Sequence, residues 1–177
     1  MDLREVTEFI KDFMWYIIVF LVIGLILIFV VAFQTVAGNS MNPTLKDGQI
    51  VLVSKLPFKI ERNQIVLFNS DGKSYVKRVI GLPGEKIEYM DGILYINDKP
   101  YKETYLKEGI ETYNFLFNDV CDIEQCPNGV IPENKYFVMG DNRPESTDSR
   151  DSRIGLIDMK DFKGKVVFGV FPFGSVK

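Results

Sequence analysis

Apolar side chains are concentrated at one end of the chain. Residues 14–33 carry no charged side chain. As a helix rising ~1.5 Å per residue they would extend about 30 Å, the thickness of a bilayer's hydrocarbon core. The preceding residues 1–13 have apolar positions at a helical spacing, namely Leu3, Val6, Phe9, Ile10 and Phe13. The pattern therefore predicts a transmembrane helix over residues 14–33, preceded by a short cytoplasmic or interfacial segment.

A cleaved secretory signal is the alternative interpretation of this apolar run. Residues 35–37 (Thr-Val-Ala) place small side chains where such a signal would be cut. The apolar region of a secretory signal is usually only about 7 to 15 residues long, however, and this run is longer. Its length favours a retained anchor.

After Phe33 the pattern changes to short β-rich segments separated by turns. Apolar residues alternate or cluster over four to eight positions, and Asp-Gly, Asn-Ser-Asp-Gly and Gly-Leu-Pro-Gly interrupt them. The Asp91-Gly92 pair between two such segments is a strong hairpin signal. The predicted strands cover residues 49–54, 64–68, 74–80, 86–90, 93–96, 135–139 and 164–171. A more polar stretch at about 101–132 interrupts them as an insertion.

These segments predict a single mostly antiparallel β domain of partly closed sheets over residues 34–177. No helical periodicity of useful length follows the apolar run. The 177 residues are 46% hydrophobic and 25% charged, the composition of a folded protein.

Charge gives weak information on partners and orientation. The net charge of −3 and the absence of a basic run argue against a nucleic-acid partner. Arg4 and Lys11 precede the apolar run, and only Lys46 follows it closely. This is a weak bias toward a cytoplasmic N-terminus and an extracytoplasmic β domain.

The chain has two cysteines, Cys121 and Cys126, within the polar insertion. Outside the cytoplasm they could close a short structural disulfide, but two cysteines alone do not decide whether they are bonded. A zinc site is not expected, because zinc requires about four ligands and the chain has no histidine and no third cysteine.

A candidate nucleophile lies close to the predicted anchor. Ser40 is part of residues 39–45 (NSMNPTL), and the chain between Phe33 and Ser40 reaches at most about 25 Å. Because there is no histidine, a Ser-His-Asp triad is excluded and lysine is the best candidate base. The serine would remain near the bilayer surface.

Lys77 is the lysine best suited to act as that base. A lysine must lose its proton near neutral pH, which requires burial in apolar surroundings or a neighbouring positive charge. In residues 74–80 (SYVKRVI), strand alternation places Lys77 on one face with Tyr75 and Val79. Arg78 points to the opposite face, and an arginine would remain protonated.

A third polar stretch, residues 140–150 (GDNRPESTDSR), directly follows an apolar strand. By itself it fits a polar turn with local hydrogen bonds, whereas the ligand spacing of a calcium-binding loop is absent. Together with residues 40–45 and 75–85, in this order behind an N-terminal anchor, it closely resembles the conserved boxes of type I signal peptidases, the Ser/Lys leader peptidases of bacterial membranes. The length of the chain and its single predicted span resemble those of the short Gram-positive members of this family.

The resemblance implies a β fold of the type shared by signal peptidases and LexA-like repressors. It also implies that Ser40 is the nucleophile and Lys77 the general base of a membrane-bound serine endopeptidase. Such an enzyme would cleave signal peptides from exported preproteins through an acyl-enzyme, without metal or cofactor, at the membrane and close to the secretion translocon. Ser146 would hydrogen-bond the lysine amine, and Met41 would help to bury the site and shape the substrate groove.

The same resemblance implies a set of residues that brace the third stretch, which are Gly140, Asp141, Asp148, Arg150 and Arg78. Arg153 competes with Arg150 because the sequence repeats Asp-Ser-Arg, but the spacing to Gly140 favours Arg150. Some family members have a serine or threonine two places before the nucleophile that helps to bind the oxyanion. Here that position is Gly38, so backbone N–H groups such as that of Ser40 would contribute more, and Gly38→Ser is expected to be tolerated or mildly helpful.

Three other functions are compatible with parts of the sequence. A specialised relative that processes a limited set such as pilin-like precursors is not distinguished from the general enzyme by the sequence. A non-enzymatic, signal-anchored surface domain is disfavoured by the intact Ser40, Lys77 and Ser146. A self-cleaving repressor is disfavoured because the chain begins with an apolar span rather than a DNA-binding module.

Overall fold

The computed structural model describes residues 3–171, with the side chains of residue 8 and of residues 10–171. The predicted apolar positions Leu3, Val6 and Phe9 lie outside the described side chains. Helix α1 covers Leu3–Val30, and its segment Ile10–Val30 is long and apolar enough to cross a membrane, with no part buried against the rest of the protein.

The predicted end of this helix is wrong. The helix stops at Val30, and the last residues of the apolar run belong to strand β1, Val31–Thr35. Valine and phenylalanine suit both a membrane helix and a strand, so composition gave no boundary. Pairing with β2, Ile50–Ser54, determines it, and Lys55 donates from its backbone to the Val30 carbonyl at 2.8 Å and from Nζ to the Ile28 carbonyl at 3.2 Å. These bonds satisfy carbonyls that a helix end leaves open.

A seven-stranded antiparallel sheet forms the body of the domain. Besides β1 and β2 it contains β3 Ile65–Ser70, β4 Lys73–Gly81, β8 Lys135–Met139, β9 Ile157–Asp158 and β10 Phe162–Phe171. The strand order is β1-β2-β10-β3-β4-β8-β9. The chain therefore confirms the mostly antiparallel β fold expected from the sequence.

Strand β3 is apolar at every one of its first four positions because both of its faces are buried. Ile65 and Leu67 pack in one cluster with Met41, and Val66 and Phe68 pack in a second cluster on the other face of the sheet. The first cluster lies beneath the turn that carries Ser40, so the core and the candidate site are built together.

A second, smaller sheet contains β5 Ile87–Met90, β6 Ile93–Ile96 and β7 Lys99–Tyr101. A third hydrophobic cluster contains side chains of this smaller sheet together with Phe137 and Met139 of β8, and it therefore connects the smaller sheet to the main sheet. Residues 102–134 are mostly irregular, as their polar composition predicts, and contain only the short helix α2, Phe117–Val120. Within this stretch Cys121 and Cys126 form a disulfide and are both buried.

All seven predicted strands are confirmed in position, with ends that differ by at most two residues. Strands β1, β7 and β9 were not predicted. Strand β7 has three residues including Pro100, and β9 has two, so neither gives a recognisable alternation. Residues 172–177 of the predicted domain lie outside the described residues.

Candidate active site

The turn after β1 holds Ser40 by burying its neighbours. Met41 and Leu45 are fully buried, and backbone hydrogen bonds from Asn42 to Asn39 and from Leu45 to Met41, at 3.0 and 2.9 Å, close the turn. Ser40 itself is only half-buried, so its hydroxyl remains accessible. Met41 thus supports the site from beneath, in the core.

Lys77 meets Ser40 directly. Its Nζ donates to Ser40 Oγ at 2.6 Å, and the residue is only 3% exposed. Strand β4 positions it opposite Val66 of β3. The structure therefore brings together the two residues that the sequence assigned as nucleophile and base, which are separated by 37 positions.

The pKa of Lys77 is lowered from its ordinary value to about 8. Burial is the main cause, because it disfavours the charged amine, and the positive charge of Arg150 lowers the pKa further. The carboxylates Asp148 and Asp141 act in the opposite direction. At a pKa of about 8, roughly a tenth of the amine is neutral at pH 7.

The third motif lies against the nucleophile turn. The Asn142 backbone N–H donates to the Ser40 carbonyl at 3.0 Å, and its side-chain amide donates to the Asn39 carbonyl at 3.1 Å. A methyl group at Gly140 would collide with the same Ser40 carbonyl and with Ser146. Glycine is required there because the two segments approach so closely.

Two ion pairs surround this contact. Arg78 donates to both carboxylate oxygens of Asp141 at 2.8 and 2.6 Å, and Thr44 donates to Asp141 at 2.5 Å. Arg150 donates from Nε and a terminal nitrogen to Asp148, both at 2.8 Å, while the Gly140 N–H donates to Asp148 at 2.9 Å.

The second arginine of the sequence repeat lies elsewhere. Arg153 pairs with Asp151, and its side chain is largely exposed. The expected choice of Arg150 over Arg153 for the pair with Asp148 therefore agrees with the contacts.

Two expectations for the site need correction. Ser146 Oγ is buried with no hydrogen-bond partner among the described residues, so the expected bond to the Lys77 amine is not made. Its side chain instead packs over Gly140. Gly38 has φ +83°, a conformation that side chains disfavour, and its N–H donates to Asp47 at 2.7 Å. Gly38→Ser is therefore strained although there is space for the side chain.

A cleft of about 170 Å³ opens beside Ser40 and Lys77. Residues 34–37, from the end of β1 onward, line one wall, residues 73–77 of β4 line the other, and Leu67 also contributes. Met41 is not among the lining residues. Met41 therefore supports the groove from the core beneath it and, contrary to expectation, does not form part of its surface.

Sequence reasoning missed several residues that contact the site from a distance. Glu103 and Tyr105, in the polar stretch, contact Arg143 and Arg78. Asn142, Arg143 and Thr44 lie inside the quoted motifs but were not singled out. Nothing in the local sequence marks Glu103 or Tyr105, because their partners lie 27 to 40 residues away.

This combination of an apolar N-terminal helix, a mostly antiparallel β domain and a buried amine in contact with a serine hydroxyl is the arrangement expected of a serine peptidase with a lysine base. Comparison with known proteins agrees. The sequence profile of the family described as "Signal peptidase, peptidase S26" matches residues 6–171. The chain belongs to this signal peptidase family.

Individual relatives cover most of the chain. Signal peptidase IB of Staphylococcus aureus (strain COL) is 38% identical over 185 residues, covering 98% of this chain and 94% of the relative. Signal peptidase I of Bacillus caldolyticus is 38% identical over 170 residues, covering 90% and 89%. The crystal structure of a signal peptidase I from Enterococcus faecalis V583 superposes with a TM-score of 0.52 at 36% identity, covering 61% of this chain and 97% of that one.

Proposed function

We propose that the chain removes signal peptides from exported preproteins with Ser40 as nucleophile and Lys77 as general base. The 2.6 Å contact between Lys77 Nζ and Ser40 Oγ in a buried setting carries this proposal. The neutral amine takes the hydroxyl proton as Oγ attacks the scissile carbonyl carbon. The protonated amine then gives that proton to the leaving nitrogen as the C–N bond breaks.

The resulting ester is an acyl-enzyme that a water molecule hydrolyses. Lys77 takes a proton from the water and returns one to Ser40 Oγ when the ester bond breaks. With glycine at position 38, the backbone N–H of Ser40 stabilises the oxyanion of each tetrahedral intermediate. The pairs Arg78–Asp141 and Arg150–Asp148 brace the loop.

The substrate segment before the cut binds as an extended strand in the cleft beside Ser40. Two open strand edges support this mode, because β1 pairs within the described sheet only with β2, and β4 pairs with β8 only from Arg78 onward. A peptide placed between residues 34–37 and 73–77 would find backbone partners on each side. The small volume of the cleft, about 170 Å³, suits small side chains.

The bilayer is the second partner in this proposal. One face of β1, β2 and β10 carries the exposed apolar side chains of Phe33, Ile50, Phe168 and Phe171, and the register makes Phe33 and Phe168 the two neighbours of Leu52. This face adjoins the end of α1, so we infer that it lies against the lipid surface. The positive charges of Arg4 and Lys11 before the span favour a cytoplasmic N-terminus, so we place the catalytic domain on the outer side, near the secretion translocon.

Purified full-length protein and its Ser40→Ala variant, each incubated with a precursor bearing an Ala-x-Ala site, test the proposal. Mass measurement of the products should show a single cut after that site with the wild type and none with Ser40→Ala. Cleavage that persists in Ser40→Ala, or a wild type that leaves the precursor intact, would contradict it.

A further inference from the structure

A balanced group of buried ions lies behind the candidate site. Three guanidiniums pair with three carboxylates, and every side chain in these pairs is at most 14% exposed. We call this group the buried ion cluster, and its pairs are Arg78 with Asp141, Arg150 with Asp148, and Arg143 with Glu103. Five of its six members belong to the motifs around the site, and only Glu103 comes from the polar stretch of residues 101–132.

Glu103 is held tightly by Arg143. Its two carboxylate oxygens accept from the two terminal nitrogens of the guanidinium, one of them at 3.0 Å and the other in a still closer contact. Arg143 also donates to Thr112 at 3.3 Å, a second residue of the same polar stretch. Charge-assisted pairs with this two-pronged geometry are strong and directional. They fix the polar stretch to the 140–150 loop.

Tyr105 makes the second link. Its hydroxyl donates to Glu103 at 2.5 Å, and the Arg78 guanidinium lies 4.1 Å from the centre of its ring. A cation at this distance over an aromatic face is attracted by the ring. Tyr105 thus joins the Glu103–Arg143 pair to the Arg78–Asp141 pair.

Both links continue to the nucleophile turn. Arg143 Nε donates to the Gly140 carbonyl at 3.1 Å, and Gly140 lies directly against the Ser40 carbonyl. Along the other route Asp141 accepts from Thr44, which is four residues from Ser40 in the same turn. The polar stretch therefore reaches the Ser40 turn through two chains of buried contacts.

We propose that Glu103 and Tyr105 are positioning residues, which hold Arg143 and Arg78 so that the loop keeps Ser40 in contact with Lys77. This inference rests on the proposed function of Ser40 and Lys77. Loss of one partner from a buried ion pair leaves a charge without compensation, and the loop would move to relieve it. Misplacement of a reacting group by about 1 Å costs on the order of a hundredfold in rate.

Glu103→Gln tests the proposal, because it removes the charge with little change of shape. Glu88→Gln is the matched control, since Glu88 is also buried, belongs to the smaller sheet and pairs at 3.0 Å with Lys86, away from the loop. The full-length variants are assayed in detergent with a peptide bearing an Ala-x-Ala site, and thermal unfolding is recorded for each. We expect kcat of Glu103→Gln to fall on the order of a hundredfold at unchanged KM.

The control separates positioning from stability. Both variants should unfold at lower temperature, but Glu88→Gln should retain wild-type kcat well below its unfolding transition. In addition, Glu103→Gln combined with Arg143→Gln should lose no more kcat than the worse single variant, because both changes break the same pair. Wild-type kcat in Glu103→Gln, an equal loss in Glu88→Gln, or additive losses in the double variant would each overturn the proposal.

A second variant covers the case in which Glu103→Gln does not fold. Tyr105→Leu removes the ring under Arg78 and the hydroxyl bonded to Glu103. A lower kcat at unchanged KM supports the proposal, and wild-type kcat overturns it. Each kcat is compared with that of the wild type after the turnover that remains in Ser40→Ala has been subtracted. Turnover that survives Ser40→Ala would contradict the proposed function itself, and it is thus recorded separately from the effect of Glu103 and Tyr105.

Discussion

The pH dependence of turnover should follow the protonation state of Lys77. Its pKa is lowered from 10.5 to about 8, mainly by burial. Because kcat/KM reports the free enzyme, it should rise about tenfold per pH unit well below pH 8 and level off above it. Between pH 7 and pH 9 the neutral fraction grows from about one tenth to about nine tenths, so kcat/KM should rise roughly tenfold.

The size of this effect follows from the shift. The lowering of the Lys77 pKa from 10.5 to about 8 corresponds to a free energy of about 3 kcal/mol in favour of the neutral amine. The neutral fraction at pH 7 is therefore about 300-fold larger than for an exposed lysine. Lys77→Arg should therefore abolish turnover while the protein remains folded, because a guanidinium does not lose its proton in this range.

Arg150→Gln provides a directed perturbation of the same pKa. Arg150 lowers the pKa of Lys77, and it also neutralises Asp148, which raises it. Removing Arg150 should therefore raise the pKa and move the acidic limb of the pH profile to higher pH. Arg153→Gln is the matched control, since Arg153 makes the same kind of pair with Asp151 at the surface, and it should leave the profile unchanged.

The assay is the cleavage of an Ala-x-Ala peptide by full-length protein between pH 6 and pH 10, with circular dichroism at each pH to show that the fold persists. A flat profile would contradict the role of Lys77. A midpoint that moves to lower pH in Arg150→Gln, or turnover that survives in Lys77→Arg, would refute the electrostatic reasoning.

Three further predictions concern the same region. The pKa of Lys77 is lowered only in the folded protein, so on raising the pH the folded state releases this proton before the unfolded state does. The unfolding free energy of the wild type, relative to that of Lys77→Met, should therefore rise by about 3 kcal/mol between about pH 8 and pH 10.5. Urea unfolding at each pH measures it. Gly140→Ala should collide with Ser146 and the Ser40 backbone, costing about 1 to 3 kcal/mol and most activity; wild-type kcat would contradict this. Gly38→Ser should lower stability by about 1 kcal/mol through its positive φ, and an unchanged melting temperature would count against that strain.

The sequence predicted those parts of the fold that depend on local pattern. Alternation and turn residues located seven strands, and three ordered motifs brought Ser40, Lys77 and the 140–150 loop into one site. The boundary between α1 and β1 could not be predicted in the same way, since the apolar residues on both sides of Val30 suit either structure. Pairing with β2, a tertiary contact, decides it.

The long-range ion pair between Glu103 and Arg143 could not be predicted from the sequence either. Glu103 and Arg143 are separated by 40 positions, and the residues next to each of them contain no motif that indicates an ion pair. The predicted hydrogen bond between Ser146 and the Lys77 amine was wrong for a related reason. The motif indicated that its hydroxyl belongs to the site, but the packing over Gly140 determines where the hydroxyl points.

Burial and the arrangement of charges together account for the lowered pKa of Lys77, the proposed base in a chain without histidine. The buried ion cluster is already balanced by its own guanidiniums and carboxylates, so a proton on Lys77, which is only 3% exposed, would add a net positive charge to a buried region. Burial therefore favours the neutral amine. Asp148 and Asp141 limit the effect, because their negative charges stabilise the protonated form and keep the pKa from falling further. Asp141, Asp148 and Arg150, which we propose brace the loop, thus also adjust the pKa of Lys77, so Arg150→Gln should change both the loop and the pH profile.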